Sequence, residues 1–157
     1  MNLIEKVSVI FISVLISMIS GNTSIVSAQI PQNGVYAELL GTGILATVNY
    51  ERYFPITKNS HLGANIGLGF PEKNYPDNPY IPLTLTYSLG SGKNFLETGI
   101  GMTYRTDLAA KAHLVLGYKR MSQNGLLLKF RITPIMGTTN DRFVFLPWLG
   151  IALGYSF

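Results

Sequence analysis

His61 and His113 are the two imidazoles of the chain, and such a ring acts as a general base only with a nucleophile and an orienting carboxylate in hydrogen-bond reach. Asp107 lies shortly before His113, but the neighbouring connections supply no serine to complete an acyl-transfer set. Both histidines share the parity of the inward-facing residues set out below, so a hydrogen-bonded interior role is expected for each. The sequence has no cysteine, which removes thiol catalysis, a disulfide frame, a thiolate metal site and an acylated lipoprotein cysteine. The acids form no close cluster of the kind a metal needs. Gly67 to Phe70 (GLGF) and Ser88 to Asn94 (SLGSGKN) have the composition of phosphate loops, yet neither opens a helix and the Walker spacing is not met. The second reads as a turn between strands. No catalytic, cofactor or metal site is therefore expected, and the chain reads as a non-enzyme.

What remains is a set of charges with a common parity: Glu38, Glu51, Glu97, Lys119, Lys129 and Arg131. Three acids and three bases can share a closed interior only if they pair with one another, because an unpaired buried charge is costly. Such a structural charge network needs strands to hold it.

The sequence supplies them. Of 157 residues, 47% are hydrophobic and 13% charged, which places the chain with compact single-domain proteins rather than disordered ones. The net charge of +4 comes from scattered lysines and arginines, not from a basic stripe, so nucleic acid is not an expected partner. After Lys6 the apolar run from Val7 to Ile19 leads to Val26-Ser27-Ala28, which reads as a signal peptide over 1–28, cleaved before Gln29. The run is shorter than the roughly 20 residues of a membrane helix. Residues 29–157 contain no second such run and form the expected β domain.

From Val35 onward, apolar residues alternate with small or polar ones. In HLGANIGLGF, Leu62, Ala64, Ile66, Leu68 and Phe70 take one face, and His61, Gly63, Asn65, Gly67 and Gly69 the other. Eight such runs are expected, roughly Gly34 to Gly41, Ile44 to Phe54, His61 to Phe70, Tyr80 to Leu89, Phe95 to Tyr104, Lys111 to Lys119, Leu126 to Thr133 and Pro147 to Phe157. Most are long enough for the roughly 9 to 11 residues that cross a bilayer when tilted. The connections ITKNS, GSGKN and MSQNG, after even-numbered runs, are short. PEKNYPDNP and the stretch from Ile135 to Leu146, after odd-numbered runs, are expected to be long outside loops, RTDLAA is intermediate, and GTG is the short exception. Glu72, Lys73, Asp77, Asp107, Asp141 and Arg142 are expected to solvate those loops.

Parity then separates two kinds of barrel. A soluble barrel puts its apolar face inside, and a membrane barrel turns it out. The charge-bearing face also carries Asn49, Asn65, Thr84, Thr86, Gly99, Gly101 and Gly154, whereas the opposite face carries Val35, Leu39, Val48, Ile66, Leu83, Leu85, Ile100, Leu114, Leu116, Phe130, Ile132, Ile151 and Leu153. Glycines make poor solvent surface but leave room in a narrow interior for Tyr36 and Trp148. The expected fold is thus an all-β, eight-stranded antiparallel up-and-down transmembrane barrel. Tyr50, Tyr87, Tyr118 and Tyr155, each late in an even-numbered run and of outward parity, would form an aromatic belt at one interface, with Phe70 and Tyr104 at the other.

With this pattern and the ending LGYSF in place, residues 29–157 resemble the small outer-membrane barrels of Gram-negative bacteria, the OmpA and OmpX type. The resemblance implies insertion in the outer membrane as a monomer, with membrane lipid and the barrel-insertion machinery as partners. It also implies that Tyr155 and Phe157 act as the assembly signal. The short GTG connection departs from OmpX, whose outside loops protrude as a sheet, and no peptidoglycan-binding domain is expected after the barrel. The expected role is structural or surface-interacting, with its surface ligand unassigned. Two alternatives stand beside it: a soluble exported lipocalin-like barrel holding a small apolar ligand, and a lipid-modifying enzyme of the lipid A palmitoyltransferase type, which uses His, Asp and Ser near the outer rim.

Overall fold

A computed structural model describes residues 31–43, 45–70, 79–105, 108–139 and 142–157. The leader expected over 1–28 and most of PEKNYPDNP lie outside the described residues, as do Asp107 and Asp141. The strands are β1 (Asn33–Leu40), β2 (Ala46–Thr57), β3 (Ser60–Gly69), β4 (Ile81–Ser91), β5 (Asn94–Arg105), β6 (Leu108–Met121), β7 (Leu126–Ile132), β8 (Ile135–Thr139), β9 (Arg142–Leu146) and β10 (Leu149–Ser156). All pair antiparallel, and β1 pairs with β10 from Gly34↔Ser156 to Leu40↔Gly150, which closes the ring.

Ten strands make eight staves. β6 pairs with β7 at Leu116↔Ile132 and with β8 at Ala112↔Met136, one unbroken register. The same holds across β10–β7 (Leu149↔Ile132) and β8–β9 (Ile135↔Leu146). Pro134 and Pro147 stand at the two breaks; each lacks an N–H and so interrupts a ladder without ending the stave. The stretch from Ile135 to Leu146, expected as a loop, is therefore mostly a β8–β9 hairpin that lengthens the last two staves. β6 likewise begins at Leu108 and takes up the second half of RTDLAA, while Arg105 ends β5.

Following paired residues once around the wall gives Ser156, Gly34, Glu51, Asn65, Thr84, Gly101, His113, Ile135 and finally Leu146, ten residues along the stave from the start. A stagger of ten over eight staves tilts them by about 40° to the barrel axis, at about 3.3 Å per residue and 4.8 Å between strands. The stagger is even, so the two faces of the wall stay distinct around the ring.

At the lower end lie the turns at 58–59, 92–93 and 122–125, together with the paired backbones of Asn33 and Phe157, each N–H donating to the other's carbonyl at 2.8 Å. Gly92 and Gly125 adopt positive φ there. At the upper end the short connection is a single 3-10 turn, Gly41–Gly43, all of it buried. Leu40 has a φ of 59° and Gly41 a φ of 76°, a left-handed pair that turns the chain into the barrel mouth rather than away from it. Close packing inside falls on glycines: a Cβ at Gly154 would strike the carbonyl of Val35 and the Tyr36 side chain.

Candidate functional site, the filled lumen

The inward residues form three levels. Lowest is an apolar and aromatic plug of Tyr53, Phe95, Met121 and Leu127, all buried. His61 sits in it edge-on to both rings, with centroids 5.4 Å from Tyr53 and 4.9 Å from Phe95; contrary to the hydrogen-bonded role expected of it, neither ring nitrogen has a partner among the described residues, because its neighbours are ring faces and edges. This level has inward parity but apolar chemistry, so strict alternation of apolar-out and polar-in does not hold at the lower mouth.

The middle level brings together all six charges singled out by parity. Lys129 bonds Glu51. Lys119 lies 2.9 Å from Glu97 and 3.8 Å from Glu51. Arg131 clasps Glu97 through Nε at 2.8 Å and Nη2 at 2.7 Å, and reaches Glu38 at 3.3 Å. Every one of these side chains is buried. Alternation explains the convergence: β2, β5, β6 and β7 each present their charged position inward at a similar depth. In so dry a setting each ion depends on its partners for the solvation it has lost. Thr86 adds a hydroxyl to Glu51 at 3.2 Å. Two tyrosines lid the cluster, with Lys129 4.3 Å from the Tyr36 ring centroid and Lys119 4.8 Å from that of Tyr53. Tyr53 was not singled out from sequence, although it shares the parity of Glu51 and stands two residues beyond it.

The upper level ties the inturned connection to the wall. Thr42 donates its hydroxyl to Glu38 at 2.8 Å, and Thr103 donates to the Thr42 carbonyl at 2.6 Å. His113 is held between Thr84 (3.0 Å) and Thr103 (3.2 Å). With both ring nitrogens engaged by threonines, and the ring buried, His113 is placed as an interior hydrogen-bonding group. The Glu38 carboxylate therefore links the charge cluster to the cap.

The four tyrosines of the expected belt all project outward. Tyr87, Tyr118 and Tyr155 are exposed and Tyr50 is half-buried. With the stagger and tilt given above, their depths fall within a band about 6 Å tall near the lower end. Phe70 and Tyr104 are exposed toward the upper end, and from Leu96 to Tyr104 the wall climbs about 20 Å along the axis. Tyr155 and Phe157 stack, with centroids 6.3 Å apart. Of the outward apolar set, Leu83 departs from expectation: it is buried against Ala64, with Phe54, Leu85 and Met102 packed around it, a local cluster on the outer face. Apolar grooves of about 460 and 580 Å³ also lie on the outer wall, one beside Leu116, Phe130 and Ile151 and the other beside Leu85, Ile100 and Leu114.

No family model and no curated protein matches this sequence. The fold is similar to a solved structure described as "De novo design of transmembrane beta-barrels", with a TM-score of 0.53 over 81% of this chain and 97% of that one, at 15% identity. The molecule is a closed eight-stranded antiparallel β-barrel of the same architecture as that designed protein.

Proposed function

We propose that this protein is an integral outer-membrane barrel of the OmpA and OmpX type, exported through a leader over 1–28. Its role is structural or surface-interacting, without catalysis. One observation carries the reading: the outward face between the lower tyrosines and the upper aromatics is apolar. Val48, Leu68, Ile100, Leu116, Phe130 and Ile151 stand exposed there, while the charges of the same staves point inward. Such a surface is stable against hydrocarbon and unstable against water. The interior that a lipocalin-like barrel would keep free for a small apolar ligand is instead filled by charges, tyrosines and the inturned connection. The same filling leaves no aqueous channel of the porin kind among the described residues.

Fractionation tests this. The protein is expected to stay with membranes through alkaline carbonate, and unboiled protein is expected to migrate differently from boiled protein on a detergent gel. Release by carbonate, or identical mobility, would overturn the reading.

Membrane lipid and the insertion machinery are its proposed partners, and the monomer its proposed state. Phe157 seals the seam between first and last staves and stacks on Tyr155, which fits the assembly role. Phe157→Ala is expected to lower the folded fraction of newly exported protein severalfold, read from the heat-modifiable band, and normal assembly would remove the residue from that role.

A further inference from the structure

Two of the four lower tyrosines carry the same additional group. In β2, Tyr50 donates its hydroxyl to Asn33 Oδ1 at 2.8 Å, and Arg52, two residues further on the same face, is the register partner of Asn33. In β6, Tyr118 donates to Asn94 Oδ1 at 2.6 Å, and Arg120, again two residues on, is the register partner of Asn94. The arrangement Tyr-x-Arg with an asparagine on the adjacent strand thus occurs twice, on staves far apart in sequence. In both copies the asparagine oxygen accepts from the tyrosine hydroxyl. Arg52 Nη1 also bonds Asn33 Oδ1 at 2.9 Å, while its Nε is buried with no hydrogen-bond partner among the described residues. Arg120 is exposed.

Among the described residues no acidic side chain pairs with Arg52 or Arg120. The carboxylates of these staves, Glu51 and Glu97, are sealed inside, and Lys58 and Lys93, in the lower turns, add further positive charge. A guanidinium set beside a tyrosine-bound asparagine, on an outward face at the foot of an apolar band, offers charged donors at the depth where lipid headgroups lie.

We propose that Asn33–Tyr50–Arg52 and Asn94–Tyr118–Arg120 are two binding sites for the phosphate of an anionic glycerophospholipid in the leaflet around the lower turns. The tyrosine sets the asparagine, the asparagine sets the arginine, the guanidinium holds the phosphate oxygens, and the apolar wall above takes the acyl chains. This rests on the membrane reading above.

The test uses the full chain folded into phosphatidylcholine vesicles containing spin-labelled phosphatidylglycerol or spin-labelled phosphatidylcholine, with the motionally restricted fraction giving relative affinity. Wild-type protein is expected to prefer phosphatidylglycerol. Arg52→Gln and Arg120→Gln are each expected to lower that preference, at their own site, by about fivefold, the equivalent of roughly 1 kcal/mol per basic residue near a charged surface. Tyr50→Phe/Tyr118→Phe, which changes no charge, is also expected to lower it, whereas Lys58→Gln/Lys93→Gln is expected to lower it less than Arg52→Gln/Arg120→Gln. Inorganic phosphate in tenfold excess over lipid is expected not to abolish it, since the acyl chains contribute. Insertion shown by heat-modifiable mobility with no preference for phosphatidylglycerol, or equal loss from the lysine pair, would overturn the two sites while leaving the membrane reading in place. Failure to insert into any vesicle would overturn both.

Discussion

Lys129→Met is expected to destabilise the folded barrel by about 3 to 5 kcal/mol, the range for removing one partner of a buried ion pair. Lys129 is the direct partner of Glu51 and also lies 3.5 Å from Glu97. Without it Glu51 retains Lys119 at 3.8 Å and the Thr86 hydroxyl, too little to replace the hydration that burial removes. The same carboxylate explains the companion variant: Lys129→Met/Glu51→Gln removes cation and anion together and is expected to recover part of the loss. Urea unfolding of the protein in detergent micelles, followed by gel mobility, measures both. A wild-type midpoint for the single variant would show that the six charges do not depend on one another.

Ile100→Arg is expected to cost about 2 to 4 kcal/mol in a bilayer, while Leu89→Arg near the lower end costs about 0 to 1, because the penalty for an outward cation falls from midplane to interface. Both positions are outward and exposed, at 59% and 54%, so a soluble barrel would accept an arginine equally at either. Depth dependence is the quantity of interest. Equal unfolding midpoints for the two variants in phosphatidylcholine vesicles would contradict a hydrocarbon surround.

The wall was legible in the sequence because burial differs so sharply between its faces that most inward positions above the lower mouth are small, polar or charged. Glu38, Glu51, Glu97, Lys119, Lys129 and Arg131 could be assigned to one space from parity alone. Their pairing could not, since it depends on the stagger between staves, and stagger is a property of the closed ring that no single run contains. Pro134 and Pro147 hid the upper parts of two staves: they break the alternation that identifies strands, yet a ladder tolerates the missing donors. Gly41–Gly43 was visible as a short connection, but its inward course depends on the left-handed Leu40, whose side chain gives no sign of that conformation. The plug of Phe95, Met121 and Leu127 went unseen because apolar residues of inward parity run against the pattern that made the rest readable. The Tyr-x-Arg pairs stood in plain view at Tyr50-Glu51-Arg52 and Tyr118-Lys119-Arg120, but only register sets an asparagine beside each.

The inturned Gly41–Gly43 and the lengthened β8–β9 hairpin lie at the same end of the barrel, next to each other around the ring. Among the described residues, therefore, the wall is low where β1 meets β2 and steps up abruptly across the seam to Thr139 and Arg142. The first and last staves, paired along their lower lengths, part company above Leu40, so the round wall carries a step at its seam.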